Sequence, residues 1–520
     1  MLTLASMLKR TFRSFGAQRA IVDPDGDATW AEFGNRVARA AVVLQSLGVG
    51  PGDRYALICR NGFRCAELMH AGYWTGAIPV PINFRLAPPE IAYILDNASC
   101  DLVALESDFA AILDAGDLTS RADNVLLVGE PEGGRPRYEA LLATVEPAPL
   151  DEGADEEDEA LLIYTGGTTG RAKGVPLSHR NIIANAMQIG LMTAPRPDDV
   201  FLHVAPMFHS ADLLATPWVL AGAAHLYLPK FTSEAVYRAI EEYGVTTTML
   251  TPTMIIVMLQ DPDFGCYDIS TLRQVIYGSS PMAAEWIRKA VERFAGVEFI
   301  QAYGLTETAP LLTMLPMAEH MRAIEGSEDE VLKSVGQPLV GVDLKLVDAD
   351  GTEVPEAGIG EIVVRGPNVA QNYLKRPEAT AEAFRDGWFY TGDIGRLDAR
   401  GRLYLLDRKK DMIITGGELV YSLEVEAALY EHPGVQECAV VGVPDEVYGE
   451  TLLAAIVPVE GAALTDDAMI AHCRGRIGGY KIPRRYVILA ELPKSAMNKI
   501  LKNELRRLYG SNGQAGGGPQ

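Results

Sequence analysis

Short apolar runs separated by stretches long enough for a helix recur from residue 54 to residue 301, and no other property of this 520-residue chain restricts its fold as much. The runs are Arg54–Cys59, Ile78–Ile82, Leu102–Leu105, Val125–Val128, Leu161–Tyr164, Val200–Ala205, Thr246–Leu250, Gln274–Tyr277 and Glu298–Gln301. Runs this short suit strands buried on both faces, and parallel strands need helix-length crossovers such as Arg64–Thr75 between them. Ahead of the first run, Thr29 and Glu32 form a capping box, and Phe33, Val37, Ala41, Leu44 and Leu47 repeat at helical spacing until Gly48. The pattern predicts a helix here and a large α/β region of parallel subdomains reaching about residue 310.

Beyond Gly336 the texture changes to short strands broken by Gly, Pro and Asp, as in DLKLVDADGTEVPEAGIGEIVVRG and GRLYLLDRKKDMIIT, which read as antiparallel hairpins. From Ser422 onward helix-like and strand-like segments alternate again, enough for a small α+β domain. A chain of this length exceeds a single core, so more than one domain is required. The boundary is placed near Lys409–Asp411. The expected division is a large domain over 1–409 with its β-rich part at about 336–409, a small mobile α+β domain over 410–510, and a disordered tail over 511–520. The acidic stretch Asp151–Glu159 (DEGADEEDE) reads as a solvated loop.

With 46 Lys and Arg against 69 Asp and Glu, the net charge of −23 repels a phosphate backbone, so nucleic acid is not an expected partner. Any phosphate-bearing ligand must be met by a few placed cations, a metal ion and helix N-termini. Six scattered cysteines, without a CxxC pair, read as reduced thiols. The start MLTLASMLKRTFRSFG lacks the order of a signal peptide, and no uninterrupted apolar run is long enough to span a bilayer. A cytoplasmic protein without integral membrane association is expected.

The strongest local signal is Leu161–Val175, LLIYTGGTTGRAKGV, where an apolar strand opens into a loop rich in Gly and Thr. Glycines let backbone N–H groups turn toward phosphate oxygens, threonine hydroxyls add donors or a metal ligand, and Lys173 supplies charge. A Walker A loop is excluded because the chain has no Gly-Lys dipeptide. Gly48-Val-Gly50-Pro-Gly52 misses the Rossmann spacing and follows a helix. Neither a GxSxG elbow nor an HExxH zinc site is present.

YTGGTTGRAKGV resembles the signature of the acyl-adenylate-forming superfamily, the AMP-binding enzymes that include acyl-CoA and aryl-CoA synthetases, peptide-synthetase adenylation domains and firefly-type luciferases. PMFH (Pro206–His209), QAYGLTET (Gln301–Thr308), YTGD (Tyr390–Asp393), DRKKDMI (Asp407–Ile413) and PKSAMNKI (Pro493–Ile500) follow in the family's order, so the likeness spans essentially the whole chain.

The resemblance implies an ATP-dependent ligase that joins a carboxylic acid to AMP and passes the acyl group to coenzyme A. Bringing one anion to the α-phosphate of another demands positioning and charge neutralisation more than covalent chemistry. By resemblance, Lys499 bridges the α-phosphate and the carboxylate as adenylation lysine, and Glu307 holds Mg²⁺ together with Thr165. Gly166, Gly167, Thr168, Thr169, Gly170 and Lys173 cradle phosphates, while Ser279, Ala302, Tyr303, Gly304 and Thr306 flank the adenylate. Asp393 accepts the ribose hydroxyls and Arg408 adds a contact. The small domain is implied to rotate about Lys410 for the second step, presenting Gly416 and Gly417 to the thiol of coenzyme A, with Lys230 and Lys410 as further contacts to coenzyme A or AMP.

The chain departs from the family pattern at three places. Asn498 stands where Gly is usual, Leu419 where Asn is usual, and Ser422 where Pro is usual. Asn tolerates the left-handed backbone that Gly adopts, so the Lys499 loop can keep its shape. His209 takes the place of the Asp that grips an amino-acid substrate's ammonium group, which disfavours amino acids. The acyl pocket is expected among His209, Ser210, Ala211, Tyr277, Ser279, Ala302, Pro310 and Leu311. Small apolar walls suit a fatty acid slightly ahead of an aryl or arylalkenoic acid. Free coenzyme A is the expected acceptor, because no carrier segment follows Lys499. The alternatives are an acyl-AMP ligase loading a stand-alone carrier protein and a luciferase-like oxygenase.

Overall fold

The alternating apolar runs become two parallel sheets in a computed structural model that describes residues 2–24, 26–114, 124–129, 137–147, 149, 154–165, 171–459, 461–494 and 500–510. One sheet has four parallel strands in the order Ile78–Pro81, Arg54–Ile58, Leu102–Glu106, Val125–Val128. Its strands bury both faces: Tyr55 and Leu57 pack into one core, Ala56 and Ile58 into the opposite one. That two-sided burial explains why the runs are continuous rather than alternating in polarity.

The second sheet has nine strands. Its centre runs Glu298–Tyr303, Gln274–Gly278, Thr247–Leu250, Val200–His203, Ala224–Tyr227 and Arg19–Val22, all parallel. Thr313–Leu315 with Gln337–Pro338 and, at the other edge, Ala28–Thr29 add antiparallel margins. Along Gln274–Gly278, Val275 and Tyr277 enter one core and Ile276 the other, so each strand separates two packed layers of side chains. The predicted capped helix forms over Trp30–Ser46, with both halves of the Thr29–Glu32 capping box present.

Two expectations need correction. Glu159–Thr165 does not join a parallel sheet but pairs antiparallel with Lys173–Ser178 as a separate two-stranded ribbon. A connection of seven residues, from 166 to 172, is too short for the crossover that parallel pairing requires. Glu159 accordingly leaves the acidic loop, forming a 2.5 Å ion pair with Arg54. The segment GRLYLLDRKKDMIIT is likewise not one hairpin. Leu403–Arg408 pairs with Trp388–Leu397 in the sheet of Asp343–Val347 and Ile359–Arg365, whereas Ile413–Thr415 pairs with Glu418–Val420 and Gly449–Pro458 in another. The chain thus changes sheets between residues 408 and 413.

The last sheet is completed by Val435–Asp445 and by Arg485–Ile488, which lies parallel to Gly449–Pro458, with helices Ser422–Tyr430, Asp466–Arg474 and Lys502–Tyr509 beside it. All six cysteines are free thiols. Among the described residues no helix is long and apolar enough to cross a membrane. The tail over 511–520, expected to be disordered, lies outside the described residues.

Candidate active site

In a parallel sheet with helices on its faces, the C-terminal strand ends leave an open crevice where backbone groups face outward. The strands Gln274–Gly278 and Glu298–Tyr303 end here on Ser279 and Gly304. Gly304 allows the chain to fold back sharply, since a Cβ there would lie 2.1 Å from the carbonyl oxygen of Pro310. Thr306–Thr308 forms one short helical turn, tied by the Thr308 hydroxyl to the carbonyl oxygens of Leu305 (2.9 Å) and Pro310 (3.1 Å). Two buried asparagines then clamp the return. Asn185 exchanges two hydrogen bonds with the backbone of Leu311, and Asn368 Nδ2 donates to the carbonyls of Thr308 and Leu311, each at 2.9 Å. Sequence reasoning passed over both. The available signal was a polar residue on the buried stripe of helix His179–Thr193.

This rigid turn sets Tyr303 and Glu307. The Tyr303 hydroxyl donates to Asp393 Oδ2 at 2.6 Å, and Arg408 Nε pairs with Asp393 Oδ1 at 2.6 Å. Asp393 is only 4% exposed while Arg408 remains half-exposed, so a buried carboxylate is joined to Tyr303 at the strand end and to a counter-charge that reaches solvent. Burial, reinforced by the Asp393 charge, pushes the Tyr303 phenol well above its ordinary pKa and keeps it a donor. The three residues thus form one acceptor assembly.

Glu307 is also buried, and its Oε1 accepts a 2.8 Å hydrogen bond from Tyr373. Tyr373 was not anticipated. Its ring lies 4.7 Å beneath the Lys173 ammonium, a cation–π contact, and its neighbour Leu374 bonds through its N–H to the Gly174 carbonyl. The segment from Ala370 to Leu374 therefore ties Glu307 to the strand carrying Lys173, with Thr165 opposite Lys173 in the ribbon register. Gly166, Gly167, Thr168, Thr169 and Gly170, the heart of the expected phosphate loop, lie outside the described residues. Thr306 Oγ1 is 3.0 Å from Ser210 Oγ, which joins the adenylate motif to the expected acyl wall.

That wall is the helical turn Ser210–Ala215, entered through His209. An unanticipated pair anchors it: Asp212 Oδ1 meets His203 Nδ1 at 2.6 Å, and His203 Nε2 meets His225 Nδ1 at 2.9 Å. Ala211, Ala302 and Leu311 share one apolar cluster, with Pro310 buried beside Leu311. Tyr277, expected among the acyl walls, instead faces the other side of the sheet. It belongs to the opposite core, is 1% exposed, and its hydroxyl meets His320 Nε2 at 2.7 Å. Side-chain alternation along the strand accounts for this, because residue 277 must point away from the face that residue 276 shares with Ala302. Ser279 remains at the rim, exposed and at φ 72°.

Lys230 is exposed just past the Ala224–Tyr227 strand, and Lys410 is exposed between the two antiparallel sheets. Gly416 and Gly417 form the turn of the Ile413–Val420 hairpin at φ 59° and 85°, and the whole turn Gly416–Leu419 lies in solvent. Lys499 lies outside the described residues.

Hard oxygen donors, one buried carboxylate and one hydroxyl, suit a magnesium ion that keeps water and phosphate oxygens as its remaining ligands. Among the described residues no group of three His, Cys, Asp or Glu could hold a metal ion. A carboxylate assembly for hydroxyls, a carboxylate for a hard cation and a lysine-bearing ribbon together can hold a phosphorylated ribose against a second substrate.

Comparison with known proteins points the same way. The family model of the AMP-binding enzyme matches residues 8–374, and that of the AMP-binding enzyme C-terminal domain matches residues 424–499. A feruloyl-CoA synthase of an Amycolatopsis species is 38% identical over 507 residues, covering 96% of this chain and 99% of that protein. An indoleacetate–CoA ligase of Aromatoleum aromaticum is 35% identical over 492 residues, covering 94% of each chain. Among solved structures, ATP-bound MatB from Rhodopseudomonas palustris superimposes with a TM-score of 0.88 at 31% identity, over 97% of this chain and 99% of that one.

Proposed function

The chain belongs to the AMP-binding enzymes as an AMP-forming acid–thiol ligase using ATP, magnesium and coenzyme A, and we propose that its acid is an aryl or arylalkenoic carboxylic acid. The observation that supports the reading is the 3.0 Å contact of Thr306 with Ser210, whose neighbour Ala211 shares an apolar cluster with Ala302 and Leu311. Small apolar walls accept an aryl ring as well as an alkyl chain. Curated relatives named for ferulate and indoleacetate support aryl acids over the fatty acids that the sequence slightly favoured. The described acyl walls are His209, Ser210, Ala211, Ala302, Pro310 and Leu311, without Tyr277.

In this reading Asp393 takes the ribose hydroxyls, with Tyr303 and Arg408 holding its carboxylate in place. Lys173 and the loop over 166–170 meet the phosphates, and Lys499 neutralises charge between the α-phosphate and the acid as the mixed anhydride forms. Glu307 and Thr165 would hold magnesium, which neutralises phosphate charge when bound. Tyr373 fixes the Glu307 carboxylate by donating to it. The small domain, from residue 410 to 510, turns about Lys410 after adenylation, bringing Gly416 and Gly417 to the thiol path. Lys230 and Lys410 serve coenzyme A or AMP. Six free thiols suit a reducing, cytoplasmic setting.

The test is acid-dependent pyrophosphate release and thioester detection over a panel of cinnamic, arylacetic, benzoic and fatty acids. Aryl or arylalkenoic acids are expected to give the highest kcat/KM, with thioester appearing only when coenzyme A is added. A panel led by fatty acids would overturn the substrate class. Acyl-AMP that accumulates unchanged by coenzyme A, or light emission with oxygen, would overturn the acceptor.

A further inference from the structure

The linker around Lys410 is spanned by a buried polar chain that none of the roles above requires. Asp407, at the end of the strand Leu403–Arg408, is 3% exposed. It accepts from the backbone N–H and, at 3.0 Å, from the hydroxyl of Ser422, the first residue of helix Ser422–Tyr430. The Ser422 hydroxyl in turn accepts from Lys502 Nζ, which also pairs with Glu426 at 2.7 Å. Glu426 is held by the Val440 N–H at 2.8 Å. One helical turn past Lys502, Arg506 pairs with Asp411 at 2.8 Å. Burial pushes the Asp407 and Glu426 carboxyls up, whereas Lys502, penalised by burial, is held above its ordinary value by Glu426 and Asp407.

Ser422 is the residue that stands where the family pattern has proline, and proline can supply neither the N–H nor the hydroxyl that Asp407 accepts. The chain crosses from the sheet holding Asp393 to the helix of the small domain, while the Gly416–Leu419 turn remains in solvent. In the orientation observed, the four residues of that turn stay exposed rather than packed against the strand ends at Ser279 and Gly304. We propose that Ser422 and Lys502 are positioning residues, which latch the small domain to Asp407 in an orientation that excludes thioester formation. Release of the latch then favours the second half-reaction. This inference rests on the reading of rotation about Lys410.

The experiment compares the full chain with Ser422→Pro, Ser422→Ala and Lys502→Met. Proline at the first turn of a helix is tolerated, so S422P removes both hydrogen bonds without breaking the helix. Acid-dependent ATP–pyrophosphate exchange should fall about tenfold in S422A, which loses one hydrogen bond to a charged group, and by more in S422P, which loses two. Thioester formation from supplied acyl-AMP and coenzyme A should hold or rise in all three variants. A structural lesion would lower both half-reactions together. Trypsin cleavage at Lys409 or Lys410 in the ligand-free chain should accelerate severalfold in parallel. Equal losses in the two half-reactions, or no change in either with unaltered cleavage, would overturn the latch. If S422P does not fold, S422A and K502M decide by the same two readouts. A wild-type chain without any exchange would instead defeat the ligase reading, and the cleavage rates would still judge the latch.

Discussion

Asp393→Asn removes one charge and almost no volume from the assembly proposed to meet the ribose. The carboxylate accepts from Tyr303 and pairs with Arg408, and on the proposed assignment it also takes one hydrogen bond from each ribose hydroxyl. Hydrogen bonds to an ionised acceptor are about twice as strong as neutral ones, a difference of about 1 kcal/mol each. Two such bonds make about 2 kcal/mol, so the KM for ATP in pyrophosphate exchange should rise about thirtyfold. The KM for the acid should barely move. Substituting 2′-deoxy-ATP isolates one hydroxyl: the wild type should lose about thirtyfold from removing a bond of about 2 kcal/mol, and D393N about fivefold from removing one of about 1 kcal/mol. Equal deoxy penalties in both proteins would refute the assignment, because the carboxylate would then not be reading the ribose. An unchanged KM for ATP in D393N would refute it outright.

Three further outcomes are expected. Tyr373→Phe leaves the buried Glu307 carboxylate short of its 2.8 Å donor; it should cost about 1 kcal/mol of stability and raise the magnesium needed for half-maximal exchange severalfold, and an unaltered magnesium titration would count against Glu307 as ligand. Lys499→Ala should abolish adenylation while sparing thioester formation from supplied acyl-AMP; equal loss of both would remove Lys499 from the first step. Burial lowers His179 and His320 to about 4, with Nδ1 of His179 accepting from the Leu4 N–H and Nε2 of His320 accepting from Tyr277. The unfolded chain then takes protons first as pH drops below about 6.5. Stability from these groups is complete above that value and is lost toward pH 4, by about 2 kcal/mol for each at pH 5. Denaturation midpoints measured from pH 7 to 5 should fall, less steeply in His320→Gln, and a flat profile would contradict the burial of both rings.

Elements with a strong local period were legible before any coordinates. The helix opened by Thr29 and Glu32 and the parallel runs through Glu298 follow from capping and from two-sided burial, both of which leave a mark within a few residues. Pairing partners leave no such mark. The ribbon of Glu159–Thr165 with Lys173–Ser178 reads as an ordinary apolar strand until the short connection is weighed. The change of sheet after Arg408 is invisible in a run of strand-like residues. In the site, Tyr303, Asp393 and Arg408 could be picked out from their motifs, whereas Tyr373, Asn185 and Asn368 could not. Their roles arise from contacts across 66, 126 and 60 positions, and a lone Tyr or Asn announces nothing about its distant neighbour. Tyr277 failed for a simpler reason: parity along a strand decides the face, and the motif alone does not state parity.

The Arg408 pairing with Asp393 also bears on turnover. A carboxylate sunk into a crevice to bind a nucleotide would ordinarily make its vacant pocket costly, since emptying it strands a charge in poor solvent. Here the counter-ion belongs to the protein and sits half in water, so the pocket without ligand is already neutralised. On the proposed assignment, AMP departs without exposing an uncompensated anion, and grip on the incoming nucleotide need not become retention of the spent one.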